Sequence, residues 1–179
     1  IYAPIEDGSD YLHPYIVLFD AETLQCTGEI HELPQELHTE GVPWVAVDAA
    51  RGCFYTAEWN HAKVLNVFDL ATFTLIKTVP LVDGEGNPAE LHRIQDAEMH
   101  EGLLYCSADI DEAKPILTAD PETGVVTKLF DRNLGDAEAE GLTIRDDGAG
   151  GFYIVTTDAG RLNGTAVDVH VRTYKLVDF

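Results

Sequence analysis

Residues 103–124, LLYCSADIDEAKPILTADPETG, place Asp109, Asp111 and Glu112 within four positions of one another between two apolar stretches. Carboxylates at this spacing are hard oxygen donors, and calcium collects roughly six to eight such oxygens from carboxylates, carbonyls and water. The cluster lacks the glycine and the distal glutamate of an EF-hand loop. Two readings therefore stand side by side: a calcium ligand set, which Asp158 could join from a neighbouring loop, or a solvated turn between two strands.

Other chemistries find little support. Ser9 and Ser107 are the only serines, and neither sits in G-x-S-x-G. Cys26, Cys53 and Cys106 form no C-x-x-C or Cys/His spacing, and Cys106 follows Tyr105 inside an apolar stretch where a small core residue is expected. HELPQELH, residues 31–38, offers two histidines, but Pro34 interrupts any helix and the spacing differs from H-E-x-x-H. The glycine runs DGEGNP and GAGGFY lack the following helix that a phosphate-binding loop requires.

Charge narrows the partners. The formal net charge is −21, from 32 acidic and 11 basic side chains. Nucleic acid and anionic membranes are held through phosphate neutralisation by Lys and Arg, so neither is an expected partner. A small-molecule or cationic ligand, or a basic protein, suits this field. No apolar run approaches the ~18–20 residues needed to cross a bilayer as a helix.

The elements that must position these residues repeat. GCFYTAEW, GLLYCSAD and GGFYIVTTD share a glycine, large apolar residues ending in tyrosine, and an acid, and IYAPIED fits the same template. The tyrosines are Tyr2, Tyr55, Tyr105 and Tyr153, separated by 53, 50 and 48 (55−2, 105−55, 153−105). A second marker, D-x-x-T, begins at Asp20, Asp69 and Asp120, with separations of 49 and 51 (69−20, 120−69). Two markers with one period define a repeat.

Each unit is strand-rich: YIVLFD, WVAVD, KVLNVFD and VDVHVRTYKL carry β-branched and aromatic residues, several in alternation. Asp and Thr bond to nearby backbone, so D-x-x-T predicts a turn. Four antiparallel strands in roughly 40–50 residues make one β-propeller blade. The expected fold is all-β, with about three and a half blades. Residues 1–31 form a partial blade, 43–80 and 92–130 two whole ones, and 139–179 at least three strands of a fourth. Such an arc needs a second copy, or missing blades from elsewhere, to close a ring.

LHRIQDAEMHEGLLYCSAD and DAEAEGLTIRDDGAGGFYIVTTD resemble segments of the phytase-like β-propellers, and PWVAVDAARGCFYTAEWN is similar to the matching strands of another blade. The resemblance implies a secreted or periplasmic propeller that binds calcium on an acidic face, with hydrolysis of a phosphate or carboxyl ester as the enzymatic variant. A complete phosphate site cannot be placed among the few basic residues. The alternative is a non-enzymatic scaffold for a protein partner. In either case the loops between second and third strands, and between blades, carry the function on a rigid frame. The expected contacts at the channel mouth are Gln95 and Glu140, in matching first-strand positions, with Glu58 and His61 from a neighbouring loop. The expected metal ligands are Asp109, Asp111, Glu112 and Asp158.

Overall fold

Strand-forming residues in alternating pattern, punctuated by Asp, Asn and Gly turns, fold here into successive antiparallel sheets. The computed structural model describes residues 1–5, 13–162 and 165–176. Among these described residues, fourteen strands fall into four sheets. The first holds β1 (Tyr2–Ile5), β2 (Tyr15–Phe19) and β3 (Cys26–Glu32). The second holds β4 (Ala46–Asp48), β5 (Cys53–Thr56), β6 (Val64–Asp69) and β7 (Leu75–Pro80). The third holds β8 (Ile94–His100), β9 (Leu103–Ala108), β10 (Pro115–Ala119) and β11 (Val126–Asp131). The fourth holds β12 (Glu138–Asp146), β13 (Phe152–Leu162) and β14 (Thr165–Lys175). Within each sheet, neighbours in sequence are neighbours in space, and every pair is antiparallel. Among the described residues the one helical element is a single 3-10 turn, Gln35–Leu37. This is an all-β, propeller-blade architecture of about three and a half blades.

The D-x-x-T element is the turn its chemistry predicts. Asp20 Oδ1 accepts the N–H of Glu22 and of Thr23 and the Thr23 hydroxyl, and Asp69 repeats this with Ala71 and Thr72. Asp120 takes the N–H groups of Glu122 and Thr123. In all three turns the next residue bonds back to the aspartate carbonyl and adopts positive φ: Leu24, Phe73 and Gly124. Only the third is glycine, and there packing adds a demand. A Cβ at Gly124 would lie 1.9 Å from the Pro80 carbonyl oxygen, because the turn leans on the second sheet.

Alternation gives every sheet two faces, one for each neighbour in the series. Phe54 and Phe68 face the first sheet and stack 5.1 Å apart, beside Ile16 and Tyr2. Tyr55, Leu65 and Val67 face the third sheet and meet Leu91, Leu104 and Cys106. Tyr105 and Ile116 face the fourth sheet and meet Leu142, Ile154 and Phe152. Tyr2, Tyr55 and Tyr105 thus share one job, packing toward the sheet that follows. The first strands β4, β8 and β12 touch in series, as inner strands about a common axis do.

Candidate functional site

The β9–β10 turn joins two strands that are almost wholly buried, so its polar residues gather at the sheet's end. There the turn, the residue before β8 and the β11–β12 connection enclose an open cavity of about 730 Å³. Its charged lining is Arg93, Asp109, Asp111, Glu112, Lys114 and Asp136. Arg93, Asp111 and Lys114 all have positive φ, between 46° and 48°. Left-handed backbone at non-glycine residues is disfavoured, and such residues cluster where a surrounding structure holds them.

These charges split into two groups. Asp109 is buried, and both its oxygens are engaged: Oδ1 lies 2.7 Å from Lys114 Nζ and accepts the Ala139 N–H at 3.0 Å, while Oδ2 accepts from Arg93 Nη2. Burial works against the charge of Asp109, but Lys114, the Ala139 amide and Arg93 together hold its pKa below the usual carboxylate value. Arg93 lies over the Trp59 ring, its guanidinium carbon 5.4 Å from the centroid. Arg132, also buried, donates to the Lys114 and Ala108 carbonyls and so fixes the floor. By contrast, Asp111, Glu112 and Asp136 are exposed at the mouth.

Asp158 lies opposite Ala139 in the β12–β13 register, on the far side of the same seam from Asp109. It is fully buried and accepts a two-point contact from Arg172, at 2.7 Å from Nε and 3.2 Å from Nη2. The expected metal set is therefore divided. Asp109 and Asp158 are bound to basic side chains, and a cation would have to displace these; Asp111 and Glu112 stand free at the opening. Among the described residues, no group of three or more His, Cys, Asp or Glu side chains converges as a metal site would require.

The channel-mouth residues are likewise spread out. Gln95 falls in the register shift between Ile94 and Asp96, and Glu140 in the shift between Ala139 and Leu142. Both are thus bulge residues on first strands, where a bulge re-aims the chain. Glu58 is occupied locally: its carboxylate accepts from the Thr39 N–H and hydroxyl and from the Glu40 N–H, pinning the first-to-second connection. His61 is exposed, pairs with Glu90 at 2.7 Å, and has its ring 4.4 Å from that of His92. Glu58 and His61 line a separate cavity of about 300 Å³.

Sequence reasoning misses Arg93, Lys114 and Arg132, and reads Asp136 only as one of the acids of a blade-to-blade loop. The usable signal was scarcity: with 11 basic residues in the chain, a lysine directly before the apolar run PILTA must be paired or solvated. Of the residues set aside, Cys106 lies in the core as expected, whereas the loop residue His38 turns inward. His38 is buried, its Nε2 2.8 Å from the Thr56 hydroxyl and its Nδ1 2.9 Å from the Pro34 carbonyl. Burial lowers its pKa, so Nδ1–H donates to Pro34 and Nε2 accepts from Thr56. Cys106 is a core residue whose thiol burial pushes up to about 12.

No family profile and no curated protein matches the sequence. Among solved structures, Saccharomyces cerevisiae Sqt1 aligns with 99% of this chain at 9% identity, with a TM-score of 0.50. The chain spans 40% of Sqt1's length. Myxococcus xanthus glutaminyl cyclase aligns with 92% of this chain and 84% of its own, at 15% identity and a TM-score of 0.44. The likeness to Sqt1, a propeller, shows a β-propeller-like fold. It speaks to no activity, and a phytase-like membership rests on the sequence motifs alone.

Proposed function

We propose that this chain is a propeller-type binding scaffold whose loop face receives a basic segment of a protein partner. The observation that carries this reading is the division of charge at the third sheet's cavity. Its buried acid is held by Lys114 and Arg93, whereas Asp111, Glu112 and Asp136 remain exposed at the rim. Over the six charged lining residues, four acids against two bases leave a net −2. A lysine or arginine entering from a partner meets carboxylates first, and the chain's overall charge of −21 draws it there. Calcium at the same rim would have to draw Asp111, Glu112 and Asp136 together, since they do not converge as a metal set, with Asp109 left in its ion pairs.

The test is fluorescence anisotropy with a labelled hexa-arginine peptide at about 20 mM and about 150 mM salt. Replacing Asp111→Asn, Glu112→Gln and Asp136→Asn together should weaken binding by about tenfold, roughly 1.4 kcal/mol. A control that neutralises Glu22, Glu29 and Glu122, exposed acids elsewhere, should change it little. Equal losses in the two triple variants would reduce the rim to general acidity. Displacement of the peptide by millimolar calcium, unmatched by magnesium, would make the rim a metal site.

A further inference from the structure

The packing between sheets follows one rule, and its two ends are unmet. In β13, Ile154, Thr156 and Asp158 are buried toward the third sheet, so Tyr153, Val155 and Thr157 point the other way. Tyr153 holds the repeat position by which Tyr2, Tyr55 and Tyr105 pack on a following sheet. On the same face of β14, Val169 and Val171 are 67% and 69% exposed.

The first sheet shows the reverse. Tyr2, Ile16 and Leu18 turn to the second sheet, leaving Ala3, Val17 and Ile30 in one cross-strand row on the uncovered face. Ile30 is 58% exposed. The strand sets of the two terminal sheets differ. The turn after β2 is a D-x-x-T turn like that after β6, so β1–β3 correspond to the second to fourth strands of a blade. The fourth sheet has the first three.

We propose that these two faces are each other's partner in a second copy of the chain. The fourth sheet of one copy packs on the first sheet of the other, and the reciprocal contact closes a ring of two. This contact continues the kind of sheet-on-sheet interface already formed three times within the chain, with Val169 and Val171 on one side and Ala3, Val17 and Ile30 on the other. Charge agrees: residues 1–50 contain acids but no Lys or Arg, while Arg145 borders the open face of the fourth sheet, beside Lys175 paired with Asp147. Two copies supply eight sheets (twice four), within the roughly four to eight of closed propellers. Because the two faces differ, the contact is head-to-tail and closes only when both ends engage.

Sedimentation velocity of the polypeptide at about 50 µM tests this. The expected mass is twice the 19.6 kDa of one chain. Val171→Asp and Ile30→Asp should each abolish the dimer while retaining the strand signature in circular dichroism. Val169→Lys serves as a second probe of the first face. Mixing the Val171→Asp and Ile30→Asp proteins should restore a heterodimer, since one of its two contacts is then wild type on both sides. A wild-type monomer overturns the proposal. So does a series of growing polymers, or a dimer lost with Val171→Asp and indifferent to Ile30→Asp, which would mean like faces pairing. Loss of the wild-type dimer when a longer form of the chain is used would assign these faces to its own additional segments and equally overturn it.

Discussion

The seam between the second and third sheets and the seam between the third and fourth join the same kind of blade by different means. The first is apolar at its centre, where Trp44, Tyr55 and Leu65 share one cluster with Leu91, Leu104 and Cys106, and its ion pairs, Glu122 with Lys77 and Arg51, lie at the exposed edge. The second has a smaller apolar cluster and a row of polar ties. Asp96 accepts the Leu142 N–H at 2.8 Å, Glu98 the Ile144 N–H at 3.0 Å, Ser107 donates to the Glu140 carbonyl, and Asp109 takes the Ala139 N–H. The bulge in β12 explains the contrast. Around the shift from Ala139 to Leu142 the backbone groups of β12 need partners, which Asp109, Ser107 and Asp96 supply, and farther along the regular ladder Glu98 takes the outward Ile144 N–H of this first strand. Acidity in this protein therefore has two origins: acids that hold sheets together, and acids left at the rim.

The contrast can be broken most forcefully at Asp109. Asp109→Asn leaves Lys114 buried beside Arg93 without a countercharge, and should cost about 3–5 kcal/mol in denaturant unfolding. A loss near zero would mean that the seam charges are solvated. Leu104→Ala, the counterpart in the apolar seam, should cost about 2–5 kcal/mol through lost burial and the cavity left behind. Gly124→Ala should destabilise by about 1 kcal/mol or more, since its Cβ meets the Pro80 carbonyl and its φ is +77°.

The pH dependence sharpens the comparison further. Asp109 and Asp147 have lowered pKa values, Asp147 to about 2, held down by the Ala149 amide, Lys175 and the Gly151 amide. Folded protein then binds fewer protons than unfolded, so their contribution is present above the ordinary value near 3.8 and is lost as pH falls through the lowered one. Asp96 has the opposite sign, because burial raises its pKa against the Leu142 and Ala97 amides. Its cost grows as pH rises from the ordinary value through the raised one. Thermal melts from pH 7 to about 2 should show the acid loss. Asp96→Asn should flatten the part of the curve between the two carboxylate values. The smallest effect belongs to Leu24→Gly: Leu24 is exposed with φ 58°, and glycine there should raise stability by up to about 1 kcal/mol. A fall would show that the turn depends on the leucine side chain.

What could be read from the chain follows from how local the physics is. The D-x-x-T turns close within four residues, so Asp20, Asp69 and Asp120 announced them without help from the rest of the fold. Alternation around Tyr55 and Tyr105 likewise carries the two faces of a sheet in adjacent letters. The cavity was legible only in half. Asp111 and Glu112 stand out by their own spacing, but the partners of Asp109 depend on Arg93, sixteen residues earlier, and on the Ala139 amide, thirty residues later. The bulges at Gln95 and Glu140 leave no local mark, because a bulge is a property of a pair of strands.

The most direct test of the division between seam acids and rim acids is carbon-detected NMR of the side-chain carboxyls, titrated with hexa-arginine and, separately, with calcium. The carboxyl signals of Asp111, Glu112 and Asp136 should move on addition of the cation, while that of Asp109 stays in place. Movement of the Asp109 signal in step with the rim would contradict the account, because it would mean that the ion pair with Lys114 opens to admit a ligand.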